Sequence, residues 1–340
     1  MNGNKVITAC LIIVVVFIGG VVLWLAKPVL FPFFLAIFLS FMLSPVLDFL
    51  TRLKIPKAVS VILILIVSFL VIYLLGALFY SSGKTFASGF SKYEQNISSI
   101  LISIQEKFKL SRLEWEPFNW VEQLDLSRIG SFLLSSLGPF FAFISNLFLI
   151  FIFLIFILAG RGRAKAKIKN SFSDARALKI SDVLQNIDNQ IQRYLAIKTV
   201  ISLFTGIFTT IILLFFGVDF AIVFGFLTFL LNYIPNIGSI IATAFPVAIA
   251  VFQFETLWQA LWILIILISI QMIMGNLIEP RVMGKGLGLS PLVVLFSLFF
   301  WGWLWGIPGM ILAVPIAAII KIVCSNIPEL NFIAVFMSKD

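Results

Sequence analysis

The 340-residue chain has no histidine, two cysteines and few charges, with 11% of its residues Asp, Glu, Lys or Arg. Without histidine there is no imidazole for general acid–base catalysis, for a proton relay or for metal ligation. Cys10 and Cys324 lie in separate apolar segments with no metal-ligand spacing, and read as small apolar residues. The phosphate-cradling pattern Gly-x-x-x-x-Gly-Lys-Ser/Thr is absent, so no ATP-driven motor is encoded here. No run of acidic residues interrupts the long apolar stretches, where a proton relay would need one. With no catalytic constellation, no metal site and no cofactor motif, the chain does not read as an enzyme.

What the chain has instead is apolar surface. It is 61% hydrophobic, and its mean hydropathy is +1.14. A soluble domain cannot hide that much, so the reading is an all-α, polytopic transmembrane helical bundle. The 38 phenylalanines suit lipid-facing helix surfaces, and Trp301, Trp303 and Trp305 suit an interfacial belt. The net charge of +9 comes from 24 Lys and Arg against 15 Asp and Glu. Because the basic residues gather in loops, they point to membrane topology and anionic lipid rather than to nucleic acid.

Full spans read at 6–26, 29–50, 58–80, 139–159, 199–216 and 257–274, with Pro28, Pro32 and Pro45 bracketing or kinking the second. The stretch 6–26 is too long for a signal-peptide core and reads as the first span. Two loops are large. Residues 81–138 carry balanced charge and an apolar helical stripe, Ile97, Ile100, Leu101, Ile104 and Phe108. Residues 161–198 hold nine basic residues, Arg161 to Lys198, against Asp174, Asp182 and Asp188. They also hold a stripe of Val183, Leu184, Ile187, Ile191, Tyr194 and Leu195, with Ser181 as a helix N-cap. Both stripes read first as helices packed on the protein's own membrane domain. The positive-inside rule puts the 161–198 loop in the cytoplasm; counting spans from it puts the N-terminus and the C-terminal tail there too, and 81–138 outside.

The organisation that follows is three N-terminal transmembrane helices (1–80), an extracytoplasmic helical loop (81–138), a fourth transmembrane helix with a basic cytoplasmic loop (139–198), a transport core (199–323) and a cytoplasmic tail (324–340). The core shows one odd pattern twice. A short apolar run, 221–233, meets a break at Pro235-Asn236-Ile237-Gly238 and a second run, 240–252, around Pro246. Later a run at 292–304 meets Gly306-Ile307-Pro308-Gly309 and a run at 310–323 around Pro315. Each run is nearer half a crossing than a whole one, which needs about 20 residues. Each pair follows one full span, and those spans run in opposite directions. The alternatives are two ordinary hairpins with proline kinks, or an inverted-topology repeat of re-entrant-like hairpins with a transport site nearby.

Polar residues in this half are few. Asn232, Asn236, Gln271 and Asn276 cluster near the breaks and read either as interhelical glue or as a path for a hydrophilic solute. Gly238 permits close backbone approach at the first break. In Glu279-Pro280-Arg281 the proline is expected to push Glu279 out of the helical region. Glu279 and Arg281 then read as a gating ion pair, as a coupling-ion site, or as a plain helix-end anchor.

Several of these segments are similar to one known family. Asn232-Tyr-Ile-Pro-Asn-Ile-Gly238, Asn276-Leu-Ile-Glu-Pro-Arg-Val-Met-Gly284, Leu289-Ser-Pro291, Gly306-Ile-Pro-Gly309 and Ala313-Val-Pro315 resemble the autoinducer-2 exporter family of bacterial membrane proteins. So do Tyr194-Leu-Ala-Ile-Lys198 and Gly217-Val-Asp-Phe-Ala221. The specific likeness runs over about 190–321; before that it rests on hydropathy and loop placement. Pro308 departs from the glycine- or alanine-like residues common there. The resemblance implies an inner-membrane transporter that assembles as a homo-oligomer. Its substrate would be a small molecule such as the autoinducer-2 quorum-sensing signal, or sodium or lithium exchanged for protons. The scarcity of acids favours a permease over an antiporter. A scaffold organised by the 81–138 loop is the third reading.

Overall fold

The computed structural model describes residues 3–88, 137–160, 174–254, 256–283 and 288–339. These residues are helical apart from their connections and one isolated antiparallel bridge, Leu289 to Ser338. The elements are α1 (Gly3–Leu25), α2 (Lys27–Arg52), α3 (Lys57–Ser88), α4 (Leu137–Gly160), α5 (Asp174–Phe215), α6 (Ala221–Leu231), α7 (Ile237–Gln253) and α8 (Leu257–Gln271). A π-helical segment (Met272–Ile278) follows, then α9 (Glu279–Met283), α10 (Pro291–Trp305), α11 (Ile307–Ser325) and, after a short 3-10 turn (Pro328–Leu330), α12 (Asn331–Phe336). Five of the described helical stretches are long and apolar enough to cross a membrane. The chain is therefore a multi-pass, all-α membrane protein. The stripe expected at 97–108 and the bases at 161–169 lie outside the described residues.

The chain divides into two compact units, residues 1–65, 143–195 and 287–340 in the first, 66–142 and 196–286 in the second. In the first unit Ala36 and Leu47 of α2, Val61 and Ile64 of α3, and Ile150, Leu154 and Leu158 of α4 form a buried core. Lys57 Nζ donates to the Ala159 carbonyl at 3.2 Å, which sets a cation on the last turn of α4, where the helix dipole favours it. Pro32 and Pro45 lie inside α2, which runs on through both, while Pro28 sits in its first turn, where a missing N–H costs nothing.

In the second unit Leu213, Val218, Ala221, Phe224, Ala250, Ala260, Ile263 and Leu267 form the buried core. Burying leucine gains little in a bilayer, because lipid tails are as apolar as the side chain, so close packing and hydrogen bonds must hold the helices. The crossing of α5 and α6 shows the close packing. A Cβ on Gly206 would come within 2.6 Å of the Gly225 carbonyl, and one on Gly225 within 1.7 Å of Thr210 Oγ1.

Three expectations need correction. First, α5 is one helix of 42 residues, so Ser181 lies inside it and is no N-cap. Nothing between Asp174 and Gly206 is glycine or proline, so nothing stops the stripe at 183–195 from running into the span. Second, Lys198 is no loop residue; it is 5% exposed, inside that helix. Third, Trp305 is not part of an exposed belt. Trp305 is buried among Phe31, Phe34 and Trp301, while Trp303 faces outward.

Candidate functional site

The first interrupted segment is α6 and α7, packed together and closed by an elbow at 232–236. Two features make the elbow. Asn236 takes φ +60° and ψ −56° at the centre of a tight three-residue turn, in which the Ile237 N–H donates to the Pro235 carbonyl at 2.7 Å. Gly238 then packs so tightly that a Cβ would lie 1.8 Å from the Leu231 carbonyl. At the other end Gln253 donates through Nε2 to the Gly217 carbonyl and accepts from the Asp219 N–H, both at 2.7 Å. The two ends of the segment are thereby tied on one side.

The second segment repeats the device in its own unit. Gly306 takes φ +75°, and a Cβ on Gly309 would lie 2.0 Å from the Trp301 carbonyl. Pro246 and Pro315 are buried inside the second arms. The arms are unequal: α6 and α10 have 11 and 15 residues, α7 and α11 have 17 and 19. At about 1.5 Å per residue α11 is long enough to cross a bilayer alone. Only the first arms are clearly shorter than a span.

The first elbow meets a polar stripe on α5. Lys198, Ser202, Thr205 and Thr209 recur at helical spacing and are all buried. Asn232 Nδ2 donates to Ser202 Oγ at 3.2 Å and, weakly, to Thr205 Oγ1 at 3.5 Å. Tyr233 donates its hydroxyl proton to Thr199 Oγ1 at 2.7 Å. Buried amides and hydroxyls in a membrane must find partners, and here they find one another.

Next to Thr199 lies the charge of this layer. Lys198 Nζ donates to both carboxylate oxygens of Glu279, at 2.7 and 2.8 Å. The Lys198 side chain is 6% exposed and that of Glu279 19%. An ammonium so deeply buried needs an opposite charge, and Glu279 supplies it. Glu279 gets there without leaving the helix, contrary to the expectation drawn from Pro280. Its backbone is helical, and its N–H donates to the Met274 carbonyl, five residues back. The wide π turn ahead of Pro280 admits the ring, which would collide with the carbonyl four back in a regular α-helix. The gate pair with Arg281 is corrected by the same geometry: Glu279 pairs with Lys198, and Arg281 is exposed.

Of the residues singled out in the sequence, Asn232, Gly238 and Glu279 come to this layer. Asn236, Asn276 and Arg281 are exposed, and Gln271 is half-buried on α8. The family's model, AI-2E family transporter, matches residues 11–329. The chain belongs to the AI-2E transporter family. It is 31% identical over 338 residues to the AI-2 transport protein TqsA of Escherichia coli (strain K12), covering 99% of this chain and 96% of that protein. It is 34% identical over 329 residues, 96% of this chain and 89% of the relative, to a Borreliella burgdorferi protein named "Putative transport protein". Membership makes this chain a membrane transporter.

For such a transporter the residues that sequence reasoning missed are Lys198, Thr199, Ser202 and Thr205. Their signal is present: a polar residue every three or four positions along an otherwise apolar span.

Proposed function

We propose that the chain is a permease that exports a small polar solute across the bacterial inner membrane, with the autoinducer-2 signal as first candidate. The observation that carries this reading is the polar stripe of buried Ser202 and Thr205 and half-buried Thr199, which hydrogen-bonds Asn232 and Tyr233 at the α6–α7 elbow. Hydroxyls and an amide within an apolar bundle offer the donors and acceptors a hydroxylated solute loses on leaving water. The 3.5 Å bond from Asn232 to Thr205 is weak enough for a solute hydroxyl to replace. The name of the E. coli relative supports the choice of signal. In this reading Asn232, Gly238, Gln271, Asn276 and Glu279 line or gate the path. The termini are cytoplasmic, the first elbow opens from outside and the second from inside, the basic loop meets anionic lipid, and the transporter works as a homo-oligomer.

The buried Lys198–Glu279 pair favours a second reading, sodium or lithium exchange for protons at Glu279. Purified protein in liposomes separates the two when autoinducer-2 efflux and sodium-driven proton movement are measured side by side. Efflux without an ion gradient supports the permease. Proton movement without efflux supports the antiporter and rules the permease out.

A further inference from the structure

The last helix carries an apolar stripe with no protein against it. On α12, Phe332, Val335 and Phe336 are 61%, 60% and 82% exposed. Their spacing of three and four puts them on one face, while Ala334 on the other face is buried and the helix packs on α11. A solvated tail would leave two phenylalanines and a valine in water.

A six-residue helix is too short to persist alone, so something must hold it. The residues after it do. The Ser290 N–H donates to the Met337 carbonyl at 2.9 Å, and the Lys339 N–H to the Gly288 carbonyl at 3.0 Å. Lys321 of α11 also donates to the Gly288 carbonyl. This clasp ties the two ends of the α10–α11 segment on one side, as Gln253 ties the ends of the other segment, and it fixes which way α12 faces.

We infer that α12 is an interfacial anchor whose partner is the lipid surface. Three observations choose lipid over protein. First, α11 is long and apolar enough to span, and α12 starts six residues after its end, so a span through α11 would bring α12 to a membrane surface. Second, the stripe continues a row of outward apolar residues on α11 and the following turn, Ile320, Val323 and Ile327. Third, even with Ile320, Val323 and Ile327 added, six side chains fall well short of the roughly 20–30 residues and 800 Å² per partner of a stable protein interface. Short helices with an apolar face and polar flanks, here Glu329 and Lys339, lie in the headgroup region with the apolar side down. The segment expected as a cytoplasmic tail is then a foot on the membrane.

The test uses the full chain with Cys10→Ala and Cys324→Ala, reconstituted in vesicles of phosphatidylethanolamine and phosphatidylglycerol. Nitroxide labels are placed singly at Phe332→Cys, Phe336→Cys and, for reference, Glu329→Cys. Collision with oxygen, which concentrates in lipid, is compared with collision with a water-soluble nickel chelate. At 332 and 336 oxygen is expected to dominate, and at 329 the chelate. Dominance of the chelate at 332 and 336 would return α12 to solvent. Protection of both sites from both reagents would mean a protein partner, and would equally overturn the anchor.

Discussion

Lys198 and Glu279, 81 residues apart in the chain, share two hydrogen bonds of 2.7 and 2.8 Å at the level of the first elbow. The pair joins α5 to the helix that resumes after the π turn. Removing one partner of a buried pair strands the other charge, which costs about 3 kcal/mol where one side chain keeps some exposure. Lys198→Met and Glu279→Gln are each expected to lower the melting temperature in detergent and to slow transport. The double variant is expected to regain part of both losses, because neither charge then stands alone. Arg281→Gln, at an exposed position, is expected to leave the melting temperature unchanged. Thermal unfolding and initial rates normalised to protein in the membrane give the answer, and losses that simply add would remove the coupling.

Gly238→Ala is expected to cost about 2 kcal/mol, typical of one methyl forced into packed space, and to impair transport. Its Cβ meets the backbone carbonyl of Leu231 at 1.8 Å, and backbone cannot turn aside as a side chain can. Gly275→Ala is the control, since nothing lies within 4 Å of its added Cβ. Equal melting temperatures for the two variants would mean that the elbow has room to spare.

Asn232→Ala removes the amide that donates to Ser202 and Thr205, and is expected to cost about 1–2 kcal/mol and most of the transport rate. Asn236→Ala leaves that network intact, but puts alanine at φ +60°. Asn236→Gly relieves the backbone conformation and is expected to transport at the normal rate. A normal rate for Asn232→Ala would take the amide out of the path.

The topology makes its own prediction. A lone cysteine at Ser173 is expected to react with reagent from the cytoplasmic side and one at Ser111 from outside, in a background without Cys10 and Cys324. External labelling at Ser173 but not at Ser111 would invert the molecule. Lys198 has moved from loop to helix, yet Arg161, Arg163, Lys165, Lys167 and Lys169 still crowd this connection.

Helix and turn placement is legible in this sequence where the cause is local. The chain turns at 232–236 and at Gly306, and glycine and proline mark both places, with asparagine at the first, because each turn needs a residue at positive φ and a glycine for close contact. Lys198 is not legible in the same way. A lysine at the end of a basic loop looks like one more loop charge, and only its carboxylate 81 residues on reveals it as buried. Pro280 misleads for the opposite reason. The rule that helices end before proline assumes a regular α-helix, and the π turn at 272–278 suspends it. Trp305 reads as interfacial by composition, but its partners on α2 are far away in sequence.

The central claim is that the polar layer at the α6–α7 elbow conducts a small polar solute. The direct measurement is the initial rate of autoinducer-2 efflux from proteoliposomes holding the unaltered chain or Asn232→Leu, with sodium and proton gradients present or absent. Efflux by the unaltered chain is expected at the same rate under both conditions, and its loss in Asn232→Leu at equal protein density. Efflux that survives Asn232→Leu, or sodium-driven proton movement in the absence of any efflux, would contradict it.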